Sequence, residues 1–179
     1  MGARERLIIH TSGNLGLDVL DAFSQKRGIL YPFQSLSKNK EIDLKEVPFF
    51  IDSNNSEDLN LLRDLGRRIS THVFQLSEED KQHYHLAAVF ANNFANHMFR
   101  EAELICDRFN LDFKLLHALI RETSAKAVEL GPDAAQTGPA IRFDESVLNR
   151  HFRELEIDID AQKIYQIVSE SIIKAHSDE

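Results

Sequence analysis

The hydrophobic pattern changes period once, near Ser77, and that single change limits the folds open to this 179-residue chain. Before it, short apolar runs alternate with amphipathic stretches, which is the pattern of an α/β segment. After it, apolar positions recur at helical spacing to the C-terminal end. The expected organisation is therefore an α/β piece over residues 1–76 and an all-helical piece over residues 77–179. The first piece is too short for a complete doubly wound sheet.

Within the α/β piece, Leu7-Ile8-Ile9 reads as a strand ending at His10-Thr11-Ser12-Gly13. The spacing of Leu17, Leu20 and Phe23 predicts a helix from about Leu15 to Lys26, stopped by Gly28. Ile29-Leu30-Tyr31 is the next strand, closed by Pro32, and Pro48 to Asp52 is a third. Ser56 is the expected cap of a helix through Ile69, and His72 to Leu76 a fourth strand. In the helical piece, Ser77 and Asp80 have the form of a capping box opening a long helix from about Glu78 to Phe109. Leu86, Phe90, Phe94 and Met98, with interleaved alanines, cover most of its circumference. Such a helix sits inside a bundle or against a partner chain. Further helices are expected from Asp112 to Glu129, ended by Gly131-Pro132, then from Asp144, and finally from Asp160 to Lys174.

Charge and cysteine usage narrow the function classes. The net charge is −8, and residues 1–75 hold 10 Lys+Arg against 10 Asp+Glu, so the whole excess lies in the helical piece. No basic stripe exists to neutralise phosphates, which argues against nucleic acid and against an anionic membrane surface. The apolar runs are too short to span a bilayer, and Met1 to Arg6 shows no secretory signal. The single cysteine, Cys106, offers neither an internal disulfide nor a structural zinc site. A cytoplasmic chain is expected. His83 and His85 are two apart and point to different sides of a helix, so a metal site is not expected.

Three constellations can carry chemistry. On an uninterrupted helix, Lys81, His85, Asn92, Asn96 and Glu103 fall along one direction, with Asn93 and Arg100 at its edge. This stripe is either a solvated face or the lining of a cleft. Asparagine costs about 0.6 kcal/mol relative to alanine in a helix. Three of them cost about 2 kcal/mol, which favours a cleft that grips a small polar molecule. The turn from His10 to Gly16 joins a strand to the expected helix, where exposed amides attract anions, although it is not a GxGxxG turn. It is equally readable as a plain turn in which Ser12 caps the helix. In Gln136 to Asp144, Asp144 reads as a helix cap, and Arg142 is a suitable donor for a carboxylate or phosphate. No nucleophile stands beside a base, and no hydrolase, zinc-protease or P-loop signature is present.

Three segments in this order carry a resemblance: His10-Thr-Ser-Gly13, Tyr84-His-Leu-Ala-Ala-Val-Phe-Ala-Asn-Asn-Phe94, and Thr137-Gly-Pro139 with Arg142 and Asp144. Tyr31-Pro-Phe-Gln-Ser35 fits between the first two. Together they resemble bacterial proteins that join an N-terminal Rossmann-like module to a helical domain of unknown function. Those proteins are similar to NAD(P)-dependent dehydrogenases of the 6-phosphogluconate, prephenate and pyrroline-carboxylate reductase kind. The resemblance implies a partial Rossmann-like α/β segment, its last strands, followed by an all-α domain like the C-terminal domain of 6-phosphogluconate dehydrogenases. It implies an oxidoreductase whose dinucleotide-binding half precedes Leu7 and is missing, so this chain alone is expected to bind NAD(P) weakly or not at all. Related dehydrogenases carry a His-Pro pair where Tyr31-Pro32 stands here.

By this resemblance His85 is the expected general acid/base, since imidazole titrates near neutrality, and Asn92 its substrate-orienting partner. Asn96, Thr137 and Arg142 are expected to bind a small polar or acidic substrate, and His10, Thr11, Ser12, Gly13 and Pro32 to face the cofactor. A homodimer is expected. The competing expectation is a non-catalytic module that dimerises or binds a small ligand.

Overall fold

The computed structural model describes residues 5–177. Four strands, β1 (Ile8–His10), β2 (Arg27–Pro32), β3 (Phe49–Ser53) and β4 (Val73–Gln75), form one sheet in the order β1-β2-β3-β4. β1 and β2 are parallel, as are β3 and β4, whereas β2 and β3 run antiparallel with Leu30 opposite Ile51. The mixed sheet follows from the connections. The segment between β2 and β3 holds only a three-residue 3-10 turn, Leu44–Glu46, and no crossover helix.

Helix α1 (Ser56–Ile69) covers the sheet with Leu62 and Gly66 inward. Leu62 packs with Leu30, Val47, Phe49 and Ile51 into the principal apolar core. Its cap is Asn55, not Ser56: the Asn55 side chain accepts the Asp58 amide at 2.9 Å. The expected shift by one residue arises because both residues are good caps and only the backbone decides which stays extended.

The helix expected from Leu15 to Lys26 does not form. Only a 3-10 turn over Leu17–Leu20 is present, and Gly16 before it gives no side-chain cap. Buried Ser24 explains the early stop. Its hydroxyl donates to the Arg6 carbonyl and accepts from the Lys26 amide, returning the chain to the sheet within one turn. Tertiary contact has overridden local spacing.

The long helix begins as expected. Ser77 accepts the Asp80 amide at 3.0 Å and donates to its carboxylate at 2.7 Å. It runs as α2 (Glu78–Ala88) and α3 (Ala95–Arg108), joined by a π-helical turn over Val89–Phe94. A π turn holds about one residue more than an α turn, so later positions are rotated by roughly 100° from an uninterrupted helix. Packing divides the chain inside α3, into one compact unit through His97 and another from Met98.

In the second unit, Asp112 opens a 3-10 turn that leads into α4 (His117–Leu130). α4 ends at Gly131, whose φ of 85° is a conformation that a side chain would strain. Asp144 caps α5 (Glu145–Glu154) by accepting the Val147 amide, as the sequence indicates. Asp158 caps α6 (Ile159–Ala175) and pairs with Arg108 at 2.7 Å. Cys106 is buried, with Ala140, Leu155 and Ala161 also inside this unit. No described helix is long and apolar enough to cross a membrane.

Candidate functional site

The first unit contains a cleft of about 400 Å³ where the end of β2 meets α2 and the π turn. Tyr31 and Phe33 form one wall, and His85, Ala88 and Asn92 the other, with Gln34 and Ser35 at the mouth. Asn92 also borders a second, more polar hollow of about 480 Å³ that includes Ser37, Lys40 and Glu41. The aromatic wall is held from behind. Phe33 lies 4.8 Å from Phe50 between ring centroids, and both rings contact Tyr84 on α2.

Gly13 brings the β1 turn into this arrangement. A Cβ on Gly13 would lie 2.7 Å from the Tyr31 hydroxyl oxygen and 3.0 Å from His85 Nδ1. Both rings therefore rest against a bare Cα, which is why a glycine is needed there. His85 Nδ1 is buried without a hydrogen-bond partner among the described residues. His85 as a residue lines the cleft. Burial pushes the Tyr31 hydroxyl above the usual phenol range, so it is a proton-bearing donor at neutral pH.

Lys81, one turn before His85, is 3% exposed and donates to the Leu15 carbonyl. Desolvation lowers its pKa, opposed first by the Glu78 carboxylate and then by Asp52. The same burial raises Asp52, opposed by the Ser53 amide and Lys81. This contact fastens the turn carrying Gly13 onto α2.

The structure separates the residues that sequence spacing groups together. His85, Asn92 and Asn93 share the cleft, while Lys81 faces the turn behind it. Asn96 is exposed and not part of the cleft lining, because the π turn has rotated it away. Pro32 ends β2 beside Tyr31. His10 is absorbed into its own turn: Nδ1 accepts the Ser12 amide at 3.2 Å, so Nε2 carries the proton donated to the Gly16 carbonyl at 3.0 Å. The Ser12 hydroxyl bonds to Asn14 and caps no helix, and Thr11 is exposed. With only a four-residue 3-10 turn following, the helix-start anion site expected here is not built.

Thr137 and Arg142 belong to the second unit. Thr137 borders an apolar pocket of about 330 Å³ lined mainly by Met98, Ile105, Leu155, Ile164 and Val168. Arg142 is exposed near Asp144, whose pKa is lowered first by the Ser146 hydroxyl. Tyr31 is the site residue that spacing reveals least. The only sequence signal for it is the Tyr-Pro pair at a strand end. Among the described residues, no group of three or more His, Cys, Asp or Glu could hold a metal ion.

The model of a family described as a domain of unknown function, DUF2520, matches residues 47–172. The chain belongs to the DUF2520 family. A Bacteroides fragilis crystal structure described as that of a "putative NADP oxidoreductase" matches this DUF2520 protein with a TM-score of 0.90 and 40% identity. The match covers 94% of this chain, which spans 65% of the Bacteroides protein. A Thermotoga maritima protein of 22% identity shares the fold, with a TM-score of 0.78 over 96% of this chain and 69% of its own. A comparison with curated proteins finds no match. The fold is a Rossmann-like α/β segment followed by helices.

Proposed function

We propose that this DUF2520 chain supplies the substrate cleft and the dimer surface of an NAD(P)-dependent oxidoreductase. The observation that carries the reading is the convergence of His85, Tyr31 and Asn92 on one cleft, with Tyr31 and His85 both resting against Gly13. The similarity to the Bacteroides protein supplies the redox class. A cleft of about 400 Å³ suits a small polar molecule or one ring. His85 Nε2 exchanges a proton with a substrate hydroxyl, carbonyl, amine or imine, and the Asn92 amide orients that group.

The described residues do not fit the whole dinucleotide. A pyrophosphate needs free amides at a helix start. Here the Ser12 amide is taken by His10, the Asn14 amide by the Ser12 hydroxyl, and no α-helix follows. The reading therefore assigns the grip on the pyrophosphate to residues outside this sequence. A thermal-melt titration tests it. At 1 mM NADPH the midpoint of this chain is expected to move by less than about 1 °C, because only tight native-state binding raises it. The Bacteroides relative, titrated in parallel, is expected to rise by several degrees. A rise of several degrees for this chain overturns the division of labour, and a silent relative overturns the redox class.

The second copy in the proposed homodimer covers α4. None of the fourteen residues of α4 is buried, and Leu119 and Leu130, which share one face of the helix, are 63% and 55% exposed. A helix of that length is marginal alone in water, so its apolar side needs cover. Light scattering is expected to give twice the chain mass. Leu119→Lys combined with Leu130→Lys is expected to halve it while leaving the far-UV spectrum of the chain unchanged. A monomeric native chain sinks the dimer.

A further inference from the structure

We infer that Tyr31 is a positioning residue for His85: its hydroxyl donates to Nδ1, fixing the imidazole with the proton on Nε2. The inference rests on the proposed role of His85 and deepens it by assigning the form in which that ring is presented to substrate. Three observations combine. His85 Nδ1 is buried and has no partner among the described residues. An orphaned buried nitrogen costs about 1–3 kcal/mol, so a nearby donor is strongly favoured. The Tyr31 hydroxyl and His85 Nδ1 are, with the Tyr31 ring, the atoms nearest to the point where a Gly13 Cβ would stand. The polar group nearest to that space beside Nδ1 is thus a phenol.

The direction of the bond follows from the chemistry of the two groups. A phenol kept protonated by burial donates, and a neutral imidazole accepts on one nitrogen only. With Nδ1 accepting, Nε2–H is the remaining tautomer, a proton donor on a residue that lines the cleft. Forming the bond takes a shift of the two side chains toward each other, since Nδ1 has no partner as they stand. Gly13 leaves the space for it, and Lys81 holds the Gly13 turn in place through the Leu15 carbonyl. His10 shows the same logic within the first unit, its Nδ1 taken by the Ser12 amide and its Nε2 left to donate.

The test is nitrogen-15 NMR of the histidine rings of this chain, without cofactor or substrate, at a pH where His85 is neutral. His85→Asn serves only to assign the signals. The native ring is expected to show Nε2 protonated and Nδ1 bare. In Tyr31→Phe the share of the Nδ1-protonated form is expected to rise several-fold. Incorporating 3-fluorotyrosine, which strengthens the phenol as a donor and preserves its shape, is expected to shift the Nδ1 signal toward stronger hydrogen bonding. A native ring protonated on Nδ1, or a His85 spectrum indifferent to both changes, overturns the assignment. A ring that follows Tyr31 beside a Bacteroides relative silent to NADPH upholds this inference and removes the redox reading alone.

Discussion

Leu62→Ala is expected to lower the stability of the first unit by about 3 kcal/mol, within the usual range for a buried leucine cut to alanine. Leu62 is 1% exposed and packs against Leu30, Phe49 and Ile51 of the two central strands and against Val47 just before β3. Its Cδ1 also fills the space beside Gly28, since a Cβ on Gly28 would come within 2.6 Å of it. The cavity cannot collapse easily, because three surrounding positions are sheet residues held by the β2–β3 ladder. Urea unfolding followed by a first-unit probe, amide exchange in β3, measures the loss. The midpoint is expected to fall by about 1–2 M for a typical urea slope. A change below about 1 kcal/mol would mean that this core is not the one holding the sheet to α1.

Gly13→Ala is expected to destabilise the chain by about 1–2 kcal/mol and to displace His85, although the new side chain is a single methyl. At an unstrained position the same change usually stabilises by about 0.4–1 kcal/mol, through the unfolded chain. The sign therefore rests on contact. The new Cβ meets the Tyr31 ring at 2.7 Å and His85 Nδ1 at 3.0 Å. Tyr31 is itself packed edge-on against Phe33 and Phe50, at 6.0 and 6.1 Å between centroids, which limits its retreat. The backbone of Gly13 is not in the left-handed region, so strain adds nothing. Thermal melting reads the stability, and the histidine NMR signals read the displacement. A variant as stable as the native chain, with an unchanged His85 signal, would show that the rings do not meet over Gly13.

These two sites differ in how far the sequence reveals them. Leu62 lies on the apolar stripe of α1, and its inward place is legible from spacing alone. Gly13 looks like an ordinary turn glycine, because its neighbours come from Tyr31 and His85, distant in sequence. The polar stripe of the long helix shows the same limit. His85 and Asn92 share a cleft as the spacing suggests, but the π turn removes Asn96 from it. Val, Phe and Asn in that turn are all weak helix formers, which marks the stretch as soft without fixing how it yields. Thr137 and Arg142 belong to the second compact unit, and His85 to the first.

The sequence by itself determined whatever depends on near neighbours along the chain. The change of period at Ser77, the caps at Ser77 and Asp144, and the helix stop at Gly131 all involve residues a few positions apart. Tertiary structure decided everything that depends on distant partners. Ser24 reaches Arg6 and ends the expected helix at Leu20, β2 and β3 pair antiparallel, and Tyr31 comes to rest beside His85. The physical reason is the same each time. A local conformation is worth a few tenths of a kcal/mol per residue, whereas a buried hydrogen bond or packed ring is worth about 1 kcal/mol or more, so the distant contact wins.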